Sequence, residues 1–188
     1  MAIDATIEDL RADDEGAGRA CAQILVDAFR GHTESWPDLE SGLATVRELI
    51  EEGVSARIAR DAEGAVLGWV GALEAYDGHA WEVHPLAIAP EYQRVGLGRR
   101  LLADLETLAA ARGVTTLWLG TDDEDGRTSL GGLDPYPDPL DALARIRNLG
   151  GHPFEFYQRC GFVLVGMLPD ANGPGKPDIF MAKRVGPR

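Results

Sequence analysis

The chain alternates between two hydrophobic periods, and each switch marks a new element. Ala5-Thr6-Ile7 predicts a first strand, and the polar start Asp13-Asp14-Glu15 then opens a helix with Ile24, Leu25, Ala28 and Phe29 at helical spacing. Leu43, Val46, Leu49 and Ile50 predict a second amphipathic helix that ends at Gly53. The period then drops to two: Ser55 to Arg60 alternates, Asp61-Ala62-Glu63-Gly64 turns, and Ala65 to Val70 returns, which predicts a hairpin. Tyr76-Asp77-Gly78 turns once more, into a strand from Trp81 to Ile88 that Pro90 stops. Strand alternation places Glu82, His84 and Leu86 on one face.

Helical spacing resumes with Leu101, Leu102, Leu105, Leu108 and Ala109, in a helix running to Arg112 and closed by Gly113. Thr115 to Leu119 predicts a strand, Thr121 to Gly126 a polar acidic loop, and Gly131 to Pro139 a Gly/Pro-rich stretch. Leu140, Leu143, Ala144, Ile146 and Arg147 predict a short helix, and Pro153 opens another that carries Phe156 and Tyr157. Phe162 to Val165 and Ile179 to Ala182 read as closing strands. The order predicts a mixed α/β layout.

With 188 residues, the chain is expected to form a single domain over residues 1–188. The formal charge of −13 argues against nucleic acid or an anionic membrane as partner, since phosphate recognition needs a basic face. It suits a polycationic ligand, although solubility alone also accounts for it. The N-terminus lacks the charge and apolar core of a signal peptide, and no apolar run approaches about 18 residues. A cytoplasmic protein is expected. Cys21 and Cys160 stand far apart without metal-ligand spacing, so neither a disulfide framework nor a metal is expected, and both read as small buried hydrophobes.

Candidate chemistry begins at Gln93-Arg94-Val95-Gly96-Leu97-Gly98, between the apolar strand and the helix that starts near Arg99. Glycines there let backbone N–H groups converge at the positive end of a helix, where a pyrophosphate is favoured. A glycine pair also serves simple turns. The pattern Q-x-x-G-x-G after a strand resembles the acetyl-coenzyme A loop of the GNAT superfamily of N-acetyltransferases, and the predicted element order is that of the GNAT fold, which implies an α/β fold with a mixed, mostly antiparallel central sheet of about six to seven strands flanked by helices. The resemblance implies that Gln93, Arg94, Val95, Gly96, Leu97, Gly98 and Arg99 bind the cofactor, acetyl-coenzyme A. It places Leu86, Ala87 and Ile88 beside the pantetheine and thioester.

Phe156-Tyr157-Gln158-Arg159-Cys160-Gly161-Phe162 resembles the F-Y-x-x-x-G-F segment of the same fold, whose tyrosine can protonate the departing thiolate; Tyr157 is the implied general acid. Four separated blocks resemble aminoglycoside 6′-N-acetyltransferases in particular. They are Trp81 to Leu86, Gly120 to Asp125, Gly151 to Tyr157 and Pro169 to Met181. The implied reaction is acetyl transfer to the 6′-amine of an aminoglycoside, and the implied consequence is antibiotic resistance. Related enzymes commonly form homodimers, so the resemblance suggests a homodimer.

A primary amine with a reference pKa of about 10.4 is protonated near neutrality and has no lone pair for the thioester, so a group must accept its proton. Glu82 and His84 are the candidates, Glu82 also for contact with the substrate; His84 is equally readable as a histidine hydrogen-bonded within the sheet. Asp122, Asp123 and Asp178 are candidates to hold the other ammonium groups, set against the plainer reading of a solvated acidic loop. Trp36, between the first two helices, could stack on a sugar or simply anchor its turn. Two other readings stay open: a GNAT enzyme acting on a polyamine, small amine or protein amino group, and a non-catalytic acyl-coenzyme A-binding domain.

Overall fold

A computed structural model describes residues 3–186. The chain packs as two compact units: one comprises residues up to Arg30, Glu34–Leu117 and the segment from Val185, the other Gly31–Thr33 and Trp118–Arg184.

The first unit holds β1 (Thr6–Asp9), α1 (Glu15–Phe29), α2 (Leu39–Glu51), β2 (Ser55–Arg60), β3 (Val66–Ala75), β4 (Ala80–Ile88), a single 3-10 turn (Pro90–Tyr92) and α3 (Leu97–Ala111). Strands β1 to β4 follow one another as an antiparallel meander. The starts of α1 and α2 are set by acidic caps. Asp14 accepts from Ala17 N at 2.8 Å, and Asp38 forms a capping box with Ser41, whose N–H donates to Asp38 Oδ1 at 2.9 Å. Cys21, Ala22 and Leu25 of α1 and Val46 and Leu49 of α2 pack on Ile58 and Trp69 of the sheet. Trp69 is fully buried, and its indole N–H donates to the Cys21 carbonyl at 3.0 Å. Burial pushes the Cys21 thiol up to about 12, so it behaves as a small hydrophobe; Cys160, read from sequence as buried too, is only half-buried. Helix α3 packs on β2, β3 and β4 with its leucines outside the α1–α2 cluster, on the other face.

The pairing of β3 with β4 changes register once, between Val70 and Ala72. Val70 lies opposite Leu86 and Ala72 opposite Val83, so Gly71 faces both His84 and Pro85: a β-bulge on β4. The bulge overturns the expected common face of Glu82, His84 and Leu86. Residues directly opposite one another share a face. Glu82 lies opposite Leu73 and Leu86 opposite Val70, and positions 73 and 70 point to opposite sides of an unbulged strand. Glu82 and His84 therefore keep one face, while Leu86 turns to the other.

The second unit carries β5 (Thr116–Asp122) from Trp118 onward, α4 (Pro139–Ala144), α5 (Phe154–Arg159), β6 (Val163–Leu168) and β7 (Asp178–Arg184). Here β7 lies between β5 and β6, antiparallel to β6 from Val163 opposite Ala182 to Leu168 opposite Asp178. Leu130, Leu143 and Ile179 form its buried centre. The architecture is thus α/β, with seven strands and flanking helices among the described residues. Boundaries differ from the sequence reading at several ends: β3 runs on to Ala75, β6 to Leu168 and β5 through Asp122, which belongs to a strand end rather than to the acidic loop, while α4 stops at Ala144.

A Cβ at Gly71 would meet the His84 carbonyl oxygen at 2.4 Å and Leu49 Cδ1 at 2.8 Å. Gly71→Ala is expected to destabilise the protein by about 2–3 kcal/mol, read as a lower urea midpoint. An unchanged midpoint would mean that the bulge does not depend on this close approach.

Candidate active site

On β4, Glu82 and His84 are half-buried between the buried Trp81, Val83 and Pro85. Burial holds the Glu82 carboxyl above its ordinary value, and the neighbouring His84 partly opposes that rise. The His84 ring lies 5.9 Å from that of Trp36, tilted by 42°. Trp36 is itself fixed: its ring packs 4.8 Å from Phe29, and its indole N–H donates to Thr45 Oγ1 at 2.9 Å. Anchoring of the interhelical turn is thus realised, and the half-buried ring still has a face beside His84. Beyond the bulge Leu86 and Ile88 are half-buried, while Ala87 is buried within the α1–α2 core.

The chain leaves Ile88 through the 3-10 turn, and Gln93 Nε2 closes back on the Ile88 carbonyl at 3.1 Å. Arg94 takes φ 63° and Gly96 takes φ 93° as the N-cap of α3. The first intrahelical bond runs from Arg100 N to Gly96 O at 3.2 Å, so the N–H groups of Leu97, Gly98 and Arg99 precede it. Gly96 offers no capping side chain, and nothing lies within 4 Å of where its Cβ would be. Gln93, Arg94, Val95, Gly96 and Arg99 are exposed, and only Leu97 is buried. An exposed, uncapped helix start beside two exposed arginines fits a pyrophosphate. Arg100 is not available to it, because its guanidinium donates to the carbonyls of Ile3 and Ala5.

In the second unit the acidic run divides by role. Asp122 is exposed at the end of β5 and accepts from Asn172 Nδ2. Asp123 is fully buried. Its carboxylate accepts from Arg127 N at 2.6 Å, Thr128 N at 2.9 Å and Thr128 Oγ1 at 2.6 Å, and its own N–H donates to Pro177 O at 3.0 Å. Asp123, expected to meet substrate, instead organises the loop. Burial would raise Asp125, but His32 at 2.7 Å and Arg127 at 2.8 Å outweigh it and hold that carboxyl below its usual range. Asp178 opens β7 with its carboxylate over Gly120, where a Cβ would stand 2.5 Å from Oδ2. Gly120 therefore makes the room that Asp178 occupies.

Tyr157 packs edge-on between Phe156 at 5.1 Å and Phe162 at 5.8 Å. Burial, reinforced by Cys160, raises its hydroxyl well above the ordinary tyrosine value, so the phenol keeps its proton at neutral pH. Sequence reasoning passed over three groups: Arg100, His32 and the buried His152, whose ring nitrogens meet Asp122 O and Phe154 N. Only His152 left a signal, standing immediately before a helix-opening proline. Among the described residues, no group of three or more His, Cys, Asp or Glu could hold a metal ion, and no helix is long and apolar enough to cross a membrane.

Comparison with known proteins follows the same lines. The family model for the acetyltransferase (GNAT) family matches residues 18–130. An aminoglycoside 6′-N-acetyltransferase solved in complex with coenzyme A is similar at a TM-score of 0.87 and 35% identity, covering 97% of this chain and 98% of that one. The aminoglycoside 6′-N-acetyltransferase of Enterococcus faecium gives 0.86 and 36%, with 97% and 98% covered. An amino-acid acetyltransferase of Pseudomonas fluorescens is 33% identical over 75 residues, 40% of this chain but 17% of that relative's own length.

The division of the acidic run has a measurable consequence. Asp123→Ala strips the acceptor from buried N–H donors and is expected to cost about 3 kcal/mol in urea unfolding. Asp122→Ala, at an exposed position, should cost less than about 1 kcal/mol. Equal costs would refute the division.

Proposed function

The chain belongs to the acetyltransferase (GNAT) family, and from that premise we propose that it acetylates the 6′-amine of aminoglycosides with acetyl-coenzyme A, residues 1–188 acting as one domain. The observation that carries this reading is similarity at 35% and 36% identity, across 97% of the chain, to two enzymes of that activity. Inactivation of the antibiotic in the cytoplasm, hence resistance, is the role we infer, with a homodimer as the working assembly.

The α3 start, from Gln93 to Arg99, holds the pyrophosphate on its backbone N–H groups, and the β4 backbone from Leu86 to Ile88 holds the pantetheine. Glu82 meets the 6′-ammonium. Its half-buried carboxylate, with a raised proton affinity, is a better proton acceptor than a solvated one, and His84 lies on the same face to pass the proton on. The freed amine nitrogen bonds to the thioester carbonyl carbon, the carbon–sulfur bond breaks, and Tyr157 gives its hydroxyl proton to the thiolate. Asp122 and Asp178 attract the remaining ammonium groups, and the Trp36 ring lies against the acceptor.

Thiol release from acetyl-coenzyme A should require an aminoglycoside bearing a 6′-amine, and Tyr157→Phe should slow it on the order of 10²-fold. The acid limb of kcat/KM should lie above the ordinary glutamate value, because Glu82 must be ionised to act and its raised pKa moves that requirement upward. Glu82→Gln should abolish that limb. Turnover only with spermidine or a lysine peptide would discard the antibiotic as acceptor, and binding without turnover of any amine would discard the enzyme.

A further inference from the structure

The reaction just described gives the buried imidazole of His152 no task. His152 is 2% exposed. Its Nε2 stands 2.9 Å from the Asp122 carbonyl oxygen, and Phe154 N stands 3.2 Å from its Nδ1. A carbonyl can only accept and an amide N–H can only donate, so Nε2 carries the hydrogen and Nδ1 is bare. Two backbone groups thus select a single neutral tautomer. Asn148 fixes the turn that delivers the ring: its Oδ1 accepts from Gly151 N and His152 N, and its Nδ2 donates to His152 O, each at 2.8 Å. The imidazole also packs 5.8 Å from the Phe154 ring.

The two groups that His152 joins belong to different elements. Asp122 ends β5, and Phe154 begins α5, whose next turn carries Tyr157, with Tyr157 N bonded to Pro153 O at 3.2 Å. We propose that His152, as the neutral Nε2–H tautomer, is a positioning residue that sets the end of β5 against the start of α5, and with it the placement of Asp122 relative to Tyr157. This rests on the roles given to those two residues above. The surroundings agree with a neutral ring: burial lowers its pKa, Asp123 and Asp125 pull it back up, and Arg127 opposes them. Protonation would turn an N–H toward the Phe154 N–H. With the folded-state pKa below the ordinary value of about 6.5, the folded protein binds fewer protons than the unfolded chain between the two. The contribution is therefore complete above the ordinary value and is lost as pH falls through it toward the folded one.

The test separates the two arms. His152→Gln retains a donor near Nε2, His152→Asn retains an acceptor near Nδ1, and His152→Leu retains volume with neither. His152→Leu should raise the aminoglycoside KM and lower kcat, each on the order of 10-fold, with the acetyl-coenzyme A KM unchanged. His152→Gln should recover the KM and His152→Asn the kcat. ¹⁵N NMR of the wild-type ring should show the neutral Nε2–H form. Equal losses in all three variants, a shift in the acetyl-coenzyme A KM of the same size, or an Nδ1–H ring would overturn the proposal. If the wild type turned over no aminoglycoside, the functional reading would fail by itself. Amide exchange at Phe154 would then decide the strut: protection retained in His152→Asn and lost in His152→Leu supports it, and equal protection in both refutes it.

Discussion

The extra residue that β4 carries opposite Gly71 is the constraint on which the first unit's chemistry depends. A side chain at 71 would collide with the His84 carbonyl, so glycine is what lets the bulge close onto β3. The bulge reverses the strand's facing between His84 and Leu86. Without it Glu82, His84 and the apolar residues after them would point the same way. With it, Glu82 and His84 meet the Trp36 side of the sheet while Leu86 and Ile88 look to the other. The same irregularity interrupts the ladder, and Pro85 has no N–H to give to it. One missing methyl group thus governs both which side chains share a face and where main-chain groups are left for other partners.

A comparable economy runs through the second unit, where neighbouring carboxylates do unlike things. Asp123 is turned inward and fully satisfied by Arg127 N and Thr128, and Asp125 is clasped by His32 and Arg127. These two residues stiffen the loop. Asp122, exposed at the end of β5, instead accepts from the Asn172 amide. The surface charge of an acidic chain is therefore a poor guide to which carboxylates can attract a cation, because some of that charge is spent in holding the loop that presents the rest.

Much of this was legible in the residues. The polar helix start at Asp14, the helical stripe from Leu101 to Ala109 and the hairpin around Asp61 to Gly64 each follow from local chemistry, and the structure places them where the pattern does. So does the glycine loop, because a helix start needs only nearby residues to define it. What failed to read were properties of pairing. Alternation counts residues along one strand and cannot see two of them facing a single partner, so the reversal at Leu86 was hidden. Asp122 and Asp123 are chemically identical in sequence, and only their folded partners, Asn172 for one and Arg127 N and Thr128 for the other, distinguish them. Arg100 was passed over because its guanidinium partners, the Ile3 and Ala5 carbonyls, lie far from it along the chain.

His152 and Glu82 show why burial has opposite meanings for the two kinds of titratable group. Desolvation disfavours whichever form is charged: it raises the carboxyl and lowers the imidazole, bringing both toward the neutral species. For Glu82 that shift strengthens a base, since the conjugate acid gains stability relative to the anion. For His152 it secures a structural tautomer, since only the neutral ring can donate to Asp122 and accept from Phe154 together. Tyr157 completes the series, its phenol kept protonated by the same loss of water. A single physical effect, applied to three side-chain chemistries, thus suits each to its proposed part, as acceptor, strut and donor. Which of these each residue becomes is decided by the backbone group or neighbour that meets its polar atoms, and so by the fold.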